Sequence, residues 1–125
     1  MRKIVILFFL LVYHANAFAG GHITQADKEE AIKCLGHYTA ITFIPANEVE
    51  AIQIEYALAS FKIAKAYLLN EKVKEDKINK GTIEELDKLI GKPFNKGRND
   101  ECNSFIYKLI PGSKADIEKL RGTLK

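Results

Sequence analysis

The chain is most informative for what it lacks. It contains only two cysteines, and they do not form a Cys-x-x-Cys pair. That omission sets aside the redox-active dithiol and the zinc ribbon. No Asn-x-Ser/Thr glycosylation acceptor occurs anywhere. There is no internal repeat and no low-complexity tract. No apolar run is long enough to cross a bilayer, which takes roughly twenty residues. Charge of one sign is also missing. The formal charge is +3, with 19 basic and 16 acidic residues. Two of the basic residues, Arg2 and Lys3, belong to the segment described next. Without them the excess falls to one, which argues against a nucleic-acid binder and its basic footprint.

What is present begins with an export address. Arg2 and Lys3 precede an apolar stretch from Ile4 to Tyr13, about ten residues long. Ala15-Asn16-Ala17 and Ala17-Phe18-Ala19 follow as small-x-small cleavage sites. This layout predicts a secretory signal peptide over residues 1–19, cut after residue 17 or 19 and leaving no membrane anchor. The expected location is the periplasm, or else the secreted space. The remainder, residues 20–125, reads as one domain with a single modest core. In an oxidising compartment Cys34 and Cys102 are most simply one structural disulfide.

Helical periodicity recurs and strand alternation does not. Thr24 with Asp27 reads as a capping box ahead of a helix over residues 25–43, whose face carries Ala31, Cys34, Leu35, Tyr38, Ile41 and Thr42. Pro45 breaks it, and Asn47 is the expected cap of the longest helix, running to about Asn70. That helix is apolar on two sides, as expected of a helix central to its domain. Val49, Ile52, Tyr56, Ala59, Ile63 and Tyr67 make the main face. Ile54, Leu58, Phe61 and Leu68 make a second stripe, read as packing or as a second interface, including one between two copies.

Residues 70–80 are dominated by charge and read as a frayed extension or a connector. Thr82-Ile83-Glu84-Glu85 looks like a fresh capping box, with Ile83, Leu86, Leu89 and Ile90 as its buried face and Gly91 as its stop. Asn99 or Asp100 would cap the helix holding Cys102, and Ser113 with Asp116 a last short one. The sum is an all-α bundle of four to five helices with one long central helix and one disulfide.

Catalytic and metal chemistry find little support. Cys34 and His37 stand one helical turn apart, but two ligands seldom make a specific site. Of three histidines, His14 lies in the export segment, leaving His22 near a terminus and His37. Nothing pairs either with a nucleophile. Glu84/Glu85 and Asp100/Glu101 are adjacent pairs, which point apart on a helix. No catalytic residue, metal or cofactor is expected. The segment Gly91–Asn99 reads either as a site for recognition of another protein or as a plain connector with Phe94 tucked into the core and its charges solvated. It carries Lys92, Asn95, Lys96 and Arg98 around Phe94, a mixture of cationic and aromatic groups suited to interfaces.

The layout of a signal peptide, a helical body of about a hundred residues, Cys34 within Ala31-Ile32-Lys33-Cys34-Leu35 and Cys102 within Glu101-Cys102-Asn103-Ser104-Phe105-Ile106 resembles the periplasmic immunity proteins of type VI secretion amidase effectors. The resemblance implies a small helical protein that obstructs the effector's active-site cleft with a protruding loop. The expected function is therefore non-enzymatic: steric occlusion of a secreted cell-wall hydrolase, with Phe94 as anchor and Lys92, Lys96 and Arg98 fixing orientation. The alternative is a periplasmic chaperone or carrier of apolar small ligands that uses Ile54, Leu58 and Phe61.

Overall fold

The computed structural model describes residues 23–124. The signal-peptide segment lies outside the described residues. Five helices follow in order, with no strand among the described residues: α1 (Gln25–Ile41), α2 (Ala51–Asn70), α3 (Glu75–Leu89), α4 (Lys96–Leu109) and α5 (Ser113–Gly122). No described helix is long and apolar enough to cross a membrane.

Helix α1 starts where its sequence says it should. The Thr24 side chain accepts the Asp27 backbone N–H at 3.0 Å, satisfying one of the donors left over at a helix start. The helix is buried over most of its C-terminal half, from Ala31 to Ile41, with Lys33 exposed and Thr39 half-buried. It touches α2, α3 and α4. The long α2 touches α1, α3 and α5. The two helices together form the middle of the bundle.

Helices α1 and α3 run parallel and very close. Gly36 and Gly81 make this possible. A Cβ at Gly81 would meet Ile32 Cγ2 at 2.5 Å, and one at Gly36 would meet Glu85 Cβ at 2.5 Å. The seam therefore runs from Ile32 against Gly81 to Gly36 against Thr82 and Glu85. This overturns the reading of Gly81-Thr82 as a helix start. Helix α3 begins at Glu75 and passes straight through both residues. Thr82 is buried, and its hydroxyl donates to the Ile78 carbonyl at 2.7 Å. Because the seam sets the inward face, Ile78 is fully buried while Ile83 is 56 % exposed.

The inward face of α2 is built from small residues. Ala57, Ala59, Ser60 and Ala64 are buried with Leu68; of the expected main face, Ala59 is thus inward while Ile52 is exposed. The cap expected at Asn47 is replaced by Glu50, which makes no side-chain capping bond. At its other end α2 closes in a Schellman motif. The Val73 N–H donates to the Leu68 carbonyl and the Lys72 N–H to the Leu69 carbonyl, with Lys72 at φ 69°. Val73 is buried with Leu68 in the core. Helix α5 lies on α2, tied there by Arg121 to Glu55 at 3.1 Å and by the Tyr56 hydroxyl to Glu118 at 2.7 Å. Ser113 opens α5 but does not cap it. Its buried hydroxyl donates to the Ile106 carbonyl of α4 at 3.2 Å.

Cys34 and Cys102 form the disulfide, with Cα atoms 5.5 Å apart and both residues fully buried. It marks where α4 meets α1. The chain-entropy relation gives about 4 kcal/mol for closing a loop of this length, a sizeable share of the roughly 5–15 kcal/mol typical of a domain.

Candidate functional site

One end of the bundle gathers the C-termini of α1 and α3 and the N-termini of α2 and α4. The connectors 42–50 and 90–95 meet there. Gly91, at φ +86°, turns the chain sharply out of α3. Pro93 follows, and Asn95 then caps α4 by accepting the Arg98 backbone N–H at 2.9 Å. The segment expected to be a loop as far as Asn99 is thus shorter. Lys96 and Arg98 stand in the first turns of α4, and neither Asn99 nor Asp100 is the cap.

The five residues singled out from sequence separate into different roles. Lys92 is exposed on the connector and has no ionic partner among the described residues. Phe94 is half-buried and packs against the core. Asn95 is the helix cap. Lys96 is exposed and pairs with Asp100 at 2.8 Å. Arg98 reaches Glu30 on α1 at 2.8 Å and Glu101 at 3.4 Å. These contacts raise the guanidinium's already high pKa, outweighing partial burial, so Arg98 ties the root of the segment to α1. The large apolar groups presented outward at this end are Phe43, 58 % exposed, Ile90, 49 % exposed, and Ile52 in the first turn of α2, 43 % exposed.

Phe94 and Lys96 stand between two clefts and line both. The smaller holds about 400 Å³ and is floored by Ile41, Ile44 and Leu89, with His37 in its wall. The larger holds about 830 Å³, between the 42–50 connector, α4 and α5. It combines the rings of Tyr56, Tyr107 and Phe94 with the amides of Asn99 and Asn103.

Both amides are held from behind by α1. The His37 Nε2 and Asn99 Oδ1 lie 2.9 Å apart, and the Tyr38 hydroxyl donates to Asn103 Oδ1 at 2.9 Å. With Oδ1 as the near atom, the imidazole Nε2–H is the donor. Burial lowers the His37 pKa and nearby Arg98 lowers it further, while Asn99 and Glu85 act in the opposite direction. His37 is therefore a neutral imidazole at neutral pH. Burial raises the Tyr38 pKa strongly, so its proton stays available to Asn103. Sequence reading noted His37 and missed Asn99 and Asn103. Their partners lie 62 and 65 residues away, and no local pattern marks them.

The second stripe is divided. Leu58 is 40 % exposed, whereas Ile54 and Phe61 are half-buried against the core. Leu58 and Phe61 border a groove of about 200 Å³ with Tyr38 and Ala57. That is below the roughly 300–1,000 Å³ usual for small-molecule sites. Glu30, Cys34 and Cys102 are the metal-capable cluster among the described residues. The disulfide consumes both thiols, so no thiolate is available to a metal there.

Comparisons with protein-family models, with curated protein sequences and with solved structures found no match.

Proposed function

We propose that this chain is an exported, non-catalytic protein that binds another protein. In its more specific form it is an immunity protein that blocks a cell-wall-degrading amidase by covering its active-site cleft. One observation carries the reading. A short connector, residues 90–95, stands at the bundle end with both ends secured, by Leu89 of α3 and by the Asn95 cap of α4. A segment held this way loses little conformational freedom on binding, which favours its use as a rigid plug. Lys92, Ile90 and Phe43 supply the leading cationic and apolar contacts. Phe94, Asn95 and Arg98 hold the segment in place from beneath, and Lys96 stands at its edge.

Cross-linking the exported protein in the cell envelope, with mass-spectrometric identification of what it holds, tests the proposal. The expected partner is a peptidoglycan hydrolase inhibited by one equivalent of this protein, and Lys92→Glu should weaken that inhibition at least tenfold. A partner that is not a hydrolase, or one that stays active in the complex, removes the immunity reading. Full inhibition by Lys92→Glu removes the connector from it.

A further inference from the structure

The larger cleft has an organised wall, and the bundle uses only one end of each of its two amides. Asn99 and Asn103 lie one turn apart on α4, and each has its Oδ1 occupied by a side chain of α1. An amide whose oxygen is fixed has its orientation fixed too, because the NH₂ group must point the other way. Both Nδ2 groups are thus directed away from α1, on residues that line the cleft. Neither has a protein acceptor among the described residues; Asn103 is half-buried and Asn99 is 8 % exposed at the cleft wall.

The spacing of this pair matches a particular ligand. Four residues of α-helix rise about 6 Å. Two residues of extended chain advance about 6.6 Å, and carbonyls on one side of a strand recur at that interval. Two donors one helical turn apart can therefore hold alternate carbonyls of an extended polypeptide. The charges around them agree with a peptide occupant. Lys96 pairs with Asp100 and Glu118 is held by Tyr56 and Arg121, while Lys114 keeps its positive charge over the Tyr107 ring at 5.9 Å. Glu48 and Glu50 remain exposed on the facing wall with no ionic partner among the described residues. Four carboxylates, Glu48, Glu50, Asp100 and Glu118, against two ammonium groups, Lys96 and Lys114, leave the cleft lining net negative, and its volume of about 830 Å³ suits several residues.

We infer that this cleft binds an extended segment of a partner protein, its backbone carbonyls accepting from Asn99 and Asn103 and a lysine or arginine side chain meeting Glu48 and Glu50. A saccharide would offer hydroxyls, which donate and accept alike. Paired donors facing two free carboxylates select carbonyls beside a cation.

The inference rests on the protein-binding reading and deepens it. Its test pans a phage-displayed library of random linear heptapeptides against the exported protein, then titrates the recovered peptides into wild type and Asn103→Asp. Aspartate at 103 still accepts the Tyr38 hydroxyl but has no N–H to offer. Recovered peptides should carry Lys or Arg at one fixed position and shift the side-chain NH₂ signals of Asn99 and Asn103 in NMR spectra. They should bind Asn103→Asp at least tenfold more weakly. Glu48→Gln/Glu50→Gln, exposed and harmless to folding, should weaken the same peptides several-fold. Overturning results are recovery of no peptide, equal binding by the variants, unmoved amide signals, or chito-oligosaccharides shifting those signals where peptides do not. A partner captured by wild type and Asn103→Asp alike, but lost by Lys92→Glu, would remove this inference and leave the broader reading. Peptide binding with no partner protein in the envelope would do the reverse.

Discussion

Gly36 of α1 and Glu85 of α3 are packed so closely that a methyl group on residue 36 would stand 2.5 Å from the Glu85 Cβ. Neither partner can yield easily, since the obstructing atoms include the start of a side chain and the Thr82 carbonyl at 3.0 Å. Gly36→Ala should destabilise the protein by about 1–3 kcal/mol, the usual cost of overpacking. Gly81→Ala should act in the same direction against Ile32. Urea denaturation at neutral pH measures both. A stability gain of the kind expected for glycine-to-alanine in an ordinary helix would refute the seam.

Lys72 is the one described residue other than glycine with a left-handed backbone, at φ 69°. Such a conformation costs an L-residue about 1 kcal/mol. Lys72→Gly should therefore raise stability by up to about 1 kcal/mol, with the motif that closes α2 intact. Thermal unfolding of the variant against wild type reads this out, and a lower Tm would contradict it.

The buried imidazole of His37 makes stability depend on pH. Its folded pKa is lowered by burial, so the unfolded chain, with an imidazole near 6.5, binds the proton more readily. Stability from this group is fully present above about pH 6.5 and declines as the pH falls from there toward the lowered folded value. Arg98 and Glu85 are the charges facing it and oppose one another. Tm should fall between pH 7 and 5, and His37→Gln, which keeps an N–H donor for Asn99, should flatten that part of the curve. An unchanged slope would show that other groups govern it.

Arg98 and Lys96 should separate in mutagenesis. Removing Arg98 breaks the part-buried tie to Glu30, and Arg98→Ala is expected to cost about 1 kcal/mol. Lys96 is exposed and paired only with Asp100 in the same helix, so Lys96→Ala should cost at most about 0.5 kcal/mol. Equal losses in parallel denaturation curves would contradict this division.

Much of the fold was legible in the primary structure. Thr24 announces α1 through local chemistry, and the cysteine pair follows from its number and an expected oxidising compartment. The start of α3 was not legible because its inward face rests on Ile78, a glycine and a threonine, where periodicity seeks large apolar residues. Gly81 reads as a helix breaker by propensity, yet the approach of Ile32 requires it. The expected main face of the long helix holds at Val49 and Ala59, which are buried, but Ile52 is exposed and the small residues Ala57, Ser60 and Ala64 are buried with Leu68 of the second stripe. At the candidate site the connector was found but drawn too long. Asn95 is followed by Lys-Gly-Arg, which resembles a loop until its cap is seen. Asn99 and Asn103 acquire their meaning only from His37 and Tyr38, across the bundle.

The disulfide also determines what a protease can accomplish. Every bond between Cys34 and Cys102 lies inside a covalent ring, and the exposed connector at 90–95 is part of that ring. A cut there opens the ring but releases no fragment, because the two pieces stay joined at the buried sulfurs. A cut near the exposed Pro111 and Gly112, outside the ring, would instead detach α5. A nicked connector would thus remain mounted on its own bundle, while the tail depends for its retention on non-covalent contacts alone.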